Sequence, residues 1–266
     1  MATTKGLYEE AQRGSKLVVT APHVQWLETP EEQQIYSDEA IDFSAKVLRR
    51  EFKHERPGRF SPSAMGECHR RVVFGYAGAP GRQPDIDNQE MMDHGSWTHL
   101  KWQTEGLTLG YIKEAEMWVH EPDLLSGGSM DGLLSDGSLF ELKSAAWQIY
   151  NRIVSVDMWP KWENLLQVHN YFLLADIDIA SVVYENRSSG TFHEFRISRD
   201  LKIEQEVIRR LNSYRRYVEE DELPEVLDLC KAKKGTVYRR CPYRDVCLKA
   251  TTVSQFSLSS QGDRHD

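Results

Sequence analysis

No apolar run in this 266-residue chain approaches the roughly eighteen residues needed to cross a bilayer as a helix. The N-terminus, from Met1 to Glu10, lacks the hydrophobic stretch of a signal peptide, so a cytoplasmic protein with no membrane partner is expected. Positive charge is in deficit: 33 lysines and arginines face 41 aspartates and glutamates, a formal charge of −8, which argues against a uniformly phosphate-binding surface. No internal repeat is visible. Only four cysteines occur, and in a cytosolic chain they are poor candidates for disulfides. At 40% hydrophobic and 28% charged residues the composition is that of an ordinary soluble protein, long enough for one large domain or two small ones.

The charge that is present falls into blocks. Arg49, Arg50, Lys53, His54, Arg56 and Arg59 form one basic run, His69, Arg70 and Arg71 a second, and Lys231, Lys233, Lys234, Arg239, Arg240 and Arg244 a third. Such runs are either solvated faces or basic patches beside an acidic centre.

Residues 1–28 are mixed and indicate no element. Thr29-Pro30-Glu31-Glu32 then reads as a helix start, with Thr29 as N-cap and Glu32 closing a capping box. Ile41, Ala45, Leu48 and Phe52 carry that helix to about residue 55. Ser61-Pro62 opens a second helix through Cys68 and Val72, ended by Gly78, Pro80 and Gly81. A third, about 88 to 105, sets Met92, Gly95, His99 and Trp102 on one face, with Gly95 leaving room for a close neighbour. Strands follow at about 111–119, 127–134 and 138–144. After Trp159-Pro160 a helix runs to about residue 175 with Gln167, Asn170, Tyr171 and Leu174 on one side. Ile179 to Glu185 and Thr191 to Ile197 read as a hairpin, and a helix of about 199–221 presents Ile203, Val207, Leu211, Tyr214 and Val218. The last sixteen residues read as a disordered tail. The central order of helix, three strands, helix and strand predicts an α/β fold, a mixed central sheet flanked by helices.

Two acids in this frame carry the chemistry. If Ser135-Asp136-Gly137 is a three-residue hairpin loop with Gly137 left-handed, paired residue numbers sum to 272 and Asp131 falls opposite Glu141. Carboxylates about 5 Å apart repel by about 3 kcal/mol at an effective dielectric of about 20, which calls for a cation. Lys143 shares the face of Glu141, while Phe140 and Leu142 point into a core. Two hard oxygen ligands and an ammonium suit Mg²⁺ or Mn²⁺ activating water; the competing reading is a polar face on a surface hairpin.

Once these elements are placed, the segment resembles the PD-(D/E)XK nuclease superfamily, and more narrowly the RecB-type nucleases. Gly95-Ser96-Trp97-Thr98-His99, Gly128-Ser129-Met130-Asp131, Glu141-Leu142-Lys143 and Gln167-Val168-His169-Asn170-Tyr171 occur in the family's order over about eighty residues. The resemblance implies a restriction-endonuclease-like sheet, with His99, Asp131, Glu141 and the Leu142 carbonyl as metal ligands. It also implies that Lys143 holds or polarises the attacking water, and that Gln167 and Tyr171 orient the site and its substrate. Met130 stands where the superfamily's name has proline. His169 is read as structural. Alone, His99 would pass for a satisfied core histidine, and Gln167 and Tyr171 for ordinary residues of an amphipathic helix.

Cys68, Cys230, Cys241 and Cys247 number what one tetrahedral metal or iron–sulfur site requires. Their layout resembles the iron–sulfur nucleases of the AddB type and of CRISPR adaptation, with one cysteine before the core and three after it. Ser61 to Arg70 matches the first segment and Cys241 to Cys247 keeps the final gap; ten residues, rather than the family's two, separate Cys230 from Cys241. The resemblance implies a [4Fe-4S] cluster joining the N-terminal helices to the chain's end, with Zn²⁺ or free thiols as alternatives.

The expected organisation is a helical region over 1–85, a nuclease core over 86–200, a C-terminal helix and cysteine segment over 201–250, and a tail over 251–266. The expected function is a metal-dependent DNA exonuclease acting on single-stranded ends, in recombination, repair or CRISPR spacer processing and compatible with a phage origin. The rivals are a catalytically weak DNA-binding subunit and a single-strand endonuclease. Trp102, Trp147 and Trp159 are read first as core packing and second as a stacking channel, and the basic stretch from Lys231 to Arg240 as within reach of DNA.

Overall fold

The computed structural model of the protein describes residues 17–52 and 58–256. Within them run α1 (Thr20–Glu28), α2 (Asp38–Leu48), α3 (His69–Ala77), α4 (Ile86–Leu109), β1 (Ile112–Glu121), β2 (Ser126–Leu134), β3 (Leu139–Ala145), α5 (Trp147–Asn151), α6 (Trp162–Ala175), β4 (Ile179–Asn186), β5 (Phe192–Ser198), α7 (Leu201–Glu219), α8 (Asp228–Lys231), α9 (Gly235–Arg240) and α10 (Arg244–Cys247). The five strands form one sheet in the order β1-β2-β3-β4-β5. All neighbours are antiparallel except β3 and β4, which run parallel because α6 carries the chain back between them. This is the mixed sheet flanked by helices that the element order predicts. Among the described residues no helix is long and apolar enough to cross a membrane.

Alternating side chains of β3 divide the core. Leu139 and Ala145 join Leu165, Val168 and Phe172 of α6 on one face, while Phe140 and Leu142 join Leu100, Trp102 and Leu107 of α4 with Phe43 of α2 on the other. α7 lays Val207, Leu211 and Tyr214 against Phe60, Met65 and Leu166. The hairpin loop has the expected form: Gly137 sits at φ +82, its amide donates to the Leu134 carbonyl at 2.9 Å, and the Leu134 amide donates to the Ser138 carbonyl at 2.8 Å.

The N-terminal reading is corrected. Thr29 caps the end of α1 rather than the start of a helix, and Ser37 caps α2, its hydroxyl accepting from the Ala40 amide at 3.2 Å. α2 therefore begins at Asp38 and turns Ala40 and Phe43 inward, leaving Ile41 and Leu48 exposed. α1 goes unseen in the sequence because its cap is remote: the Glu194 carboxylate of β5 accepts from the Thr20 amide at 3.0 Å, the Val19 amide at 3.3 Å and the Thr20 hydroxyl at 3.0 Å. An anion at that end also opposes the helix dipole. The expected helix from residue 61 divides into a 3₁₀ turn at Pro62–Ala64 and α3, whose αL cap is Gly78. Lys53, His54 and Arg56 of the first basic run lie outside the described residues, as do 257–266.

The tail reading is corrected for residues 251–256. Phe256 is buried against Phe74 with ring centroids 5.3 Å apart, and the Ser254 amide and hydroxyl donate to Asp221 at 2.6 and 2.7 Å. What holds this end of the chain is Arg70. Its buried guanidinium donates to the carbonyls of Pro224 at 2.6 Å, Cys247 at 3.0 Å and Ala250 at 2.5 Å. Arg82 adds an amide bond to the Pro242 carbonyl at 2.7 Å.

The four-cysteine cluster is not formed as a ligand cage. All four thiols are free, and they do not converge as the ligands of one metal site do. The thiols share a neighbourhood nonetheless. Burial raises the pKa of Cys230, Cys241 and Cys247, and the charge of Cys68 adds to each.

Candidate active site

The expected pairing sum of 272 holds at Gly132–Phe140 and Leu133–Leu139, and there the ladder between β2 and β3 ends. β2 continues alongside β1 to Ser126, and β3 alongside β4 to Ala145, so the two strands fork. Asp131 and Glu141 are thus not a paired couple across a ladder, as the hairpin argument expects, but sit where it opens. The Leu142 amide, left without a β2 carbonyl, donates to Asp131 Oδ2 at 2.7 Å.

Five side chains meet in the fork. His99, from the middle of α4, places Nδ1 at 3.2 Å from Asp131 Oδ1. Lys143 Nζ lies 2.5 Å from Glu141 Oε1. Gln167 of α6 joins both, accepting from Lys143 Nζ at 2.8 Å and donating to Glu141 Oε1 at 2.8 Å. Glu141 Oε2 is buried with no hydrogen-bond partner. The sequence spacing brings His99, Asp131, Glu141, Lys143 and Gln167 together as expected; Leu142 turns its side chain into the opposite core.

The protonation states follow from a dry cluster of mixed charge. Burial drives Glu141 up to about 7, partly offset by Lys143 and reinforced by Asp131. For Asp131 burial also pushes upward, but His99, Lys143 and the Leu142 amide prevail and hold it below the usual carboxylate range. Burial works against the charged forms of His99 and Lys143, yet the facing carboxylates outweigh it and raise both. Lys143 is therefore an ammonium, suited to donating hydrogen bonds and not to accepting a proton.

Small residues let the elements close in. A Cβ on Gly128 would lie 2.8 Å from the Pro62 ring and 3.2 Å from the Tyr171 hydroxyl, and one on Gly66 would lie 2.2 Å from Cβ of Glu163 in α6. Gly95 is different. A Cβ there would meet nothing within 4 Å, so the expected close neighbour is absent. The helical face expected to join Met92 to Trp102 also divides: Met92 is exposed, while Trp102 is fully buried, stacked on His23 at 3.7 Å and bonded through Nε1 to Glu185 at 2.5 Å. Burial removes Trp102 from any stacking channel; Trp159 packs against the core and Trp147 is 53% exposed.

Tyr171 donates its hydroxyl to the Ser129 carbonyl at 2.5 Å, within reach of Gln167 and the acids of the fork, and stays protonated because burial and those acids hold its pKa well above the ordinary value. His169 is structural, with Nδ1 at 2.8 Å from the Leu165 carbonyl and Nε2 accepting from the Asp200 amide at 3.0 Å. Residues given no role from the sequence are Gln103, Glu116 and, although it lies within the Gly128–Asp131 motif, Ser129; they surround Asp131 on its β1 side.

No family model matches the chain, and no curated protein does. Solved structures of similar shape include an alkaline exonuclease from Laribacter hongkongensis, 17% identical with a TM-score of 0.47 over 64% of this chain and 95% of that one. A protein designated SSO0001 is 14% identical, with a TM-score of 0.49 over 78% of this chain and 95% of that one. A phage-related exonuclease from Haemophilus somnus is 12% identical, with a TM-score of 0.42 over 64% and 96%. All three scores fall below 0.5, so the reading of function rests on the fork itself.

Proposed function

We propose that this protein is a metal-dependent deoxyribonuclease whose reaction centre is the fork between β2 and β3, acting as an exonuclease on single-stranded ends. The observation that carries the reading is Glu141. It is 1% exposed, its Oε2 has no donor, and Asp131 adds a second carboxylate beside it. A buried oxygen with spare acceptor capacity among hard donors fits a Mg²⁺ or Mn²⁺ ion, with His99, Asp131, Glu141 and the Leu142 carbonyl to hold it. Bound there, the ion would lower the pKa of a water and offset charge on the scissile phosphate.

The chain's own groups do the rest. Lys143, kept charged by its neighbours, donates to a phosphate oxygen or to the attacking water. Gln167 fixes the lysine by accepting from Nζ and fixes Glu141 by donating to Oε1, so one carboxamide holds both the carboxylate and the ammonium. Tyr171 supports β2 through Ser129. The cysteines would hold a [4Fe-4S] cluster, or Zn²⁺ in its place. What supports a shared site is donor identity and the effect of Cys68 on the other three thiols. A brown preparation with broad visible absorbance favours iron, and a colourless one with stoichiometric zinc the alternative.

The test is cleavage of end-labelled DNA by the full chain with Mn²⁺. Wild type is expected to shorten linear single strands and leave circular ones whole, and Asp131→Ala and Lys143→Ala to lose the activity. Equal activity in those variants would overturn the site. Binding without cleavage would favour a DNA-binding subunit, and cutting of circular strands an endonuclease.

A further inference from the structure

Glu116 belongs to no recognised motif, yet the sheet puts it at the fork. Ala115 pairs with Gly132 and Met117 with Met130, which leaves Glu116 and Asp131 facing each other between those pairs. Its backbone has φ +54, a conformation a non-glycine residue in a strand rarely adopts without a local demand.

Both carboxylate oxygens are engaged. Gln103 Nε2 donates to Glu116 Oε1 at 3.0 Å and, with its other hydrogen, to the Asp131 carbonyl at 2.8 Å. The Ser129 hydroxyl donates to Glu116 Oε2 at 2.7 Å. Gln103 stands one turn beyond His99 on α4, so one carboxamide ties the helix of His99 to the strand of Asp131.

We propose that Glu116 is a positioning residue that fixes Asp131 and thereby sets the cation affinity of the fork, an inference that rests on the metal-site reading above. The carboxamide of Gln103 can point its NH₂ or its oxygen at Asp131. With an acceptor-only carboxylate on one side and a carbonyl on the other, only the NH₂ orientation satisfies both. Glu116 thus selects the orientation that holds the Asp131 main chain, and it strengthens the bonds from Gln103 and Ser129 by carrying charge. It acts through neighbours and needs no contact with the ion.

Uptake of Mn²⁺ by the full chain, followed from the EPR signal of the free ion, tests this without activity. Glu116→Gln is expected to weaken Mn²⁺ binding about tenfold while the metal-free melting temperature holds, as outer partners of metal ligands commonly do. Ser129→Ala should weaken it by a smaller factor and Ser129→Thr, which keeps the hydroxyl donor, should restore it. Wild-type affinity in Glu116→Gln would overturn the inference while Asp131→Ala, by losing Mn²⁺, still upheld the metal site. Failure of Ser129→Thr to restore affinity would overturn the hydroxyl's part. Absence of Mn²⁺ uptake in wild type would overturn the metal site and this inference together.

Discussion

Glu141 and Glu194 are nearly equally buried, at 1% and 3% exposure, on the same small sheet, yet their surroundings differ in kind. Glu194 accepts from the Val19 and Thr20 amides, the Thr20 hydroxyl and the Ser181 hydroxyl, the last at 2.6 Å. Glu141 receives Lys143 and Gln167 on one oxygen and nothing on the other. The first carboxylate is a structural part, a remote helix cap whose every lone pair does local service. The second leaves acceptor capacity unused in a place where that is costly, which is the mark of a group arranged for a ligand.

The contrast can be broken experimentally, and the largest effect is expected on turnover. Lys143→Ala should lower DNA cleavage by roughly 10³-fold, the scale of losing a preorganised charge partner, with little change in urea unfolding. Glu194→Ala should do the reverse, costing about 3 kcal/mol in urea titration because it uncaps α1 and strands buried donors. Arg70→Ala is expected to cost about 2 kcal/mol, with hydrogen exchange accelerated in residues 247–256 rather than in the sheet.

The next effect is one of pH. Because burial raises Glu141 from an ordinary 4.5 to about 7, protons compete with a cation there, and Mn²⁺ affinity measured between pH 8 and 6 should fall by up to about tenfold per unit below pH 7. The sign for the metal-free fold follows. The folded chain holds this proton more tightly than the unfolded chain, so the stability linked to it is complete below the unfolded value of 4.5 and is lost as pH rises through about 7. Glu141→Gln removes that loss, and by the smallest of these effects should stabilise the metal-free protein at pH 8 by about 1 kcal/mol. Destabilisation by that variant would mean that Glu141, like Glu194, is a structural acid.

What could be read from the sequence was local. The Ser135-Asp136-Gly137 loop, the shared face of Glu141 and Lys143, and the helical spacing of Gln167 and Tyr171 depend on neighbours a few residues away, and the structure carries them. α1 escaped because its cap lies in β5, and Thr29-Pro30 misled because a capping signal cannot tell whether a helix ends or begins there. Trp102 has an aromatic's ambiguity, resolved only by the His23 ring stacked upon it. Glu116 carried no signal of its own, since its partners Gln103 and Ser129 meet only after α4, β1 and β2 assemble. The resemblance drew attention to Cys68, whereas two residues on Arg70 makes the visible attachment to the C-terminal segment.

The tip of β2 is stitched to the chain ahead of α3: Phe60 gives its amide to the Leu125 carbonyl at 2.7 Å, while its own carbonyl receives the Gly127 amide at 3.2 Å. The Ser126 hydroxyl adds a bond to the same carbonyl at 3.0 Å. A chain shortened to begin at residue 86 would bare that tip and remove the Pro62 ring against which Gly128 rests. Cutting away the leading segment would therefore fray the strand only a few positions from Asp131, so that a truncation aimed at isolating the proposed reaction centre would instead dismantle it.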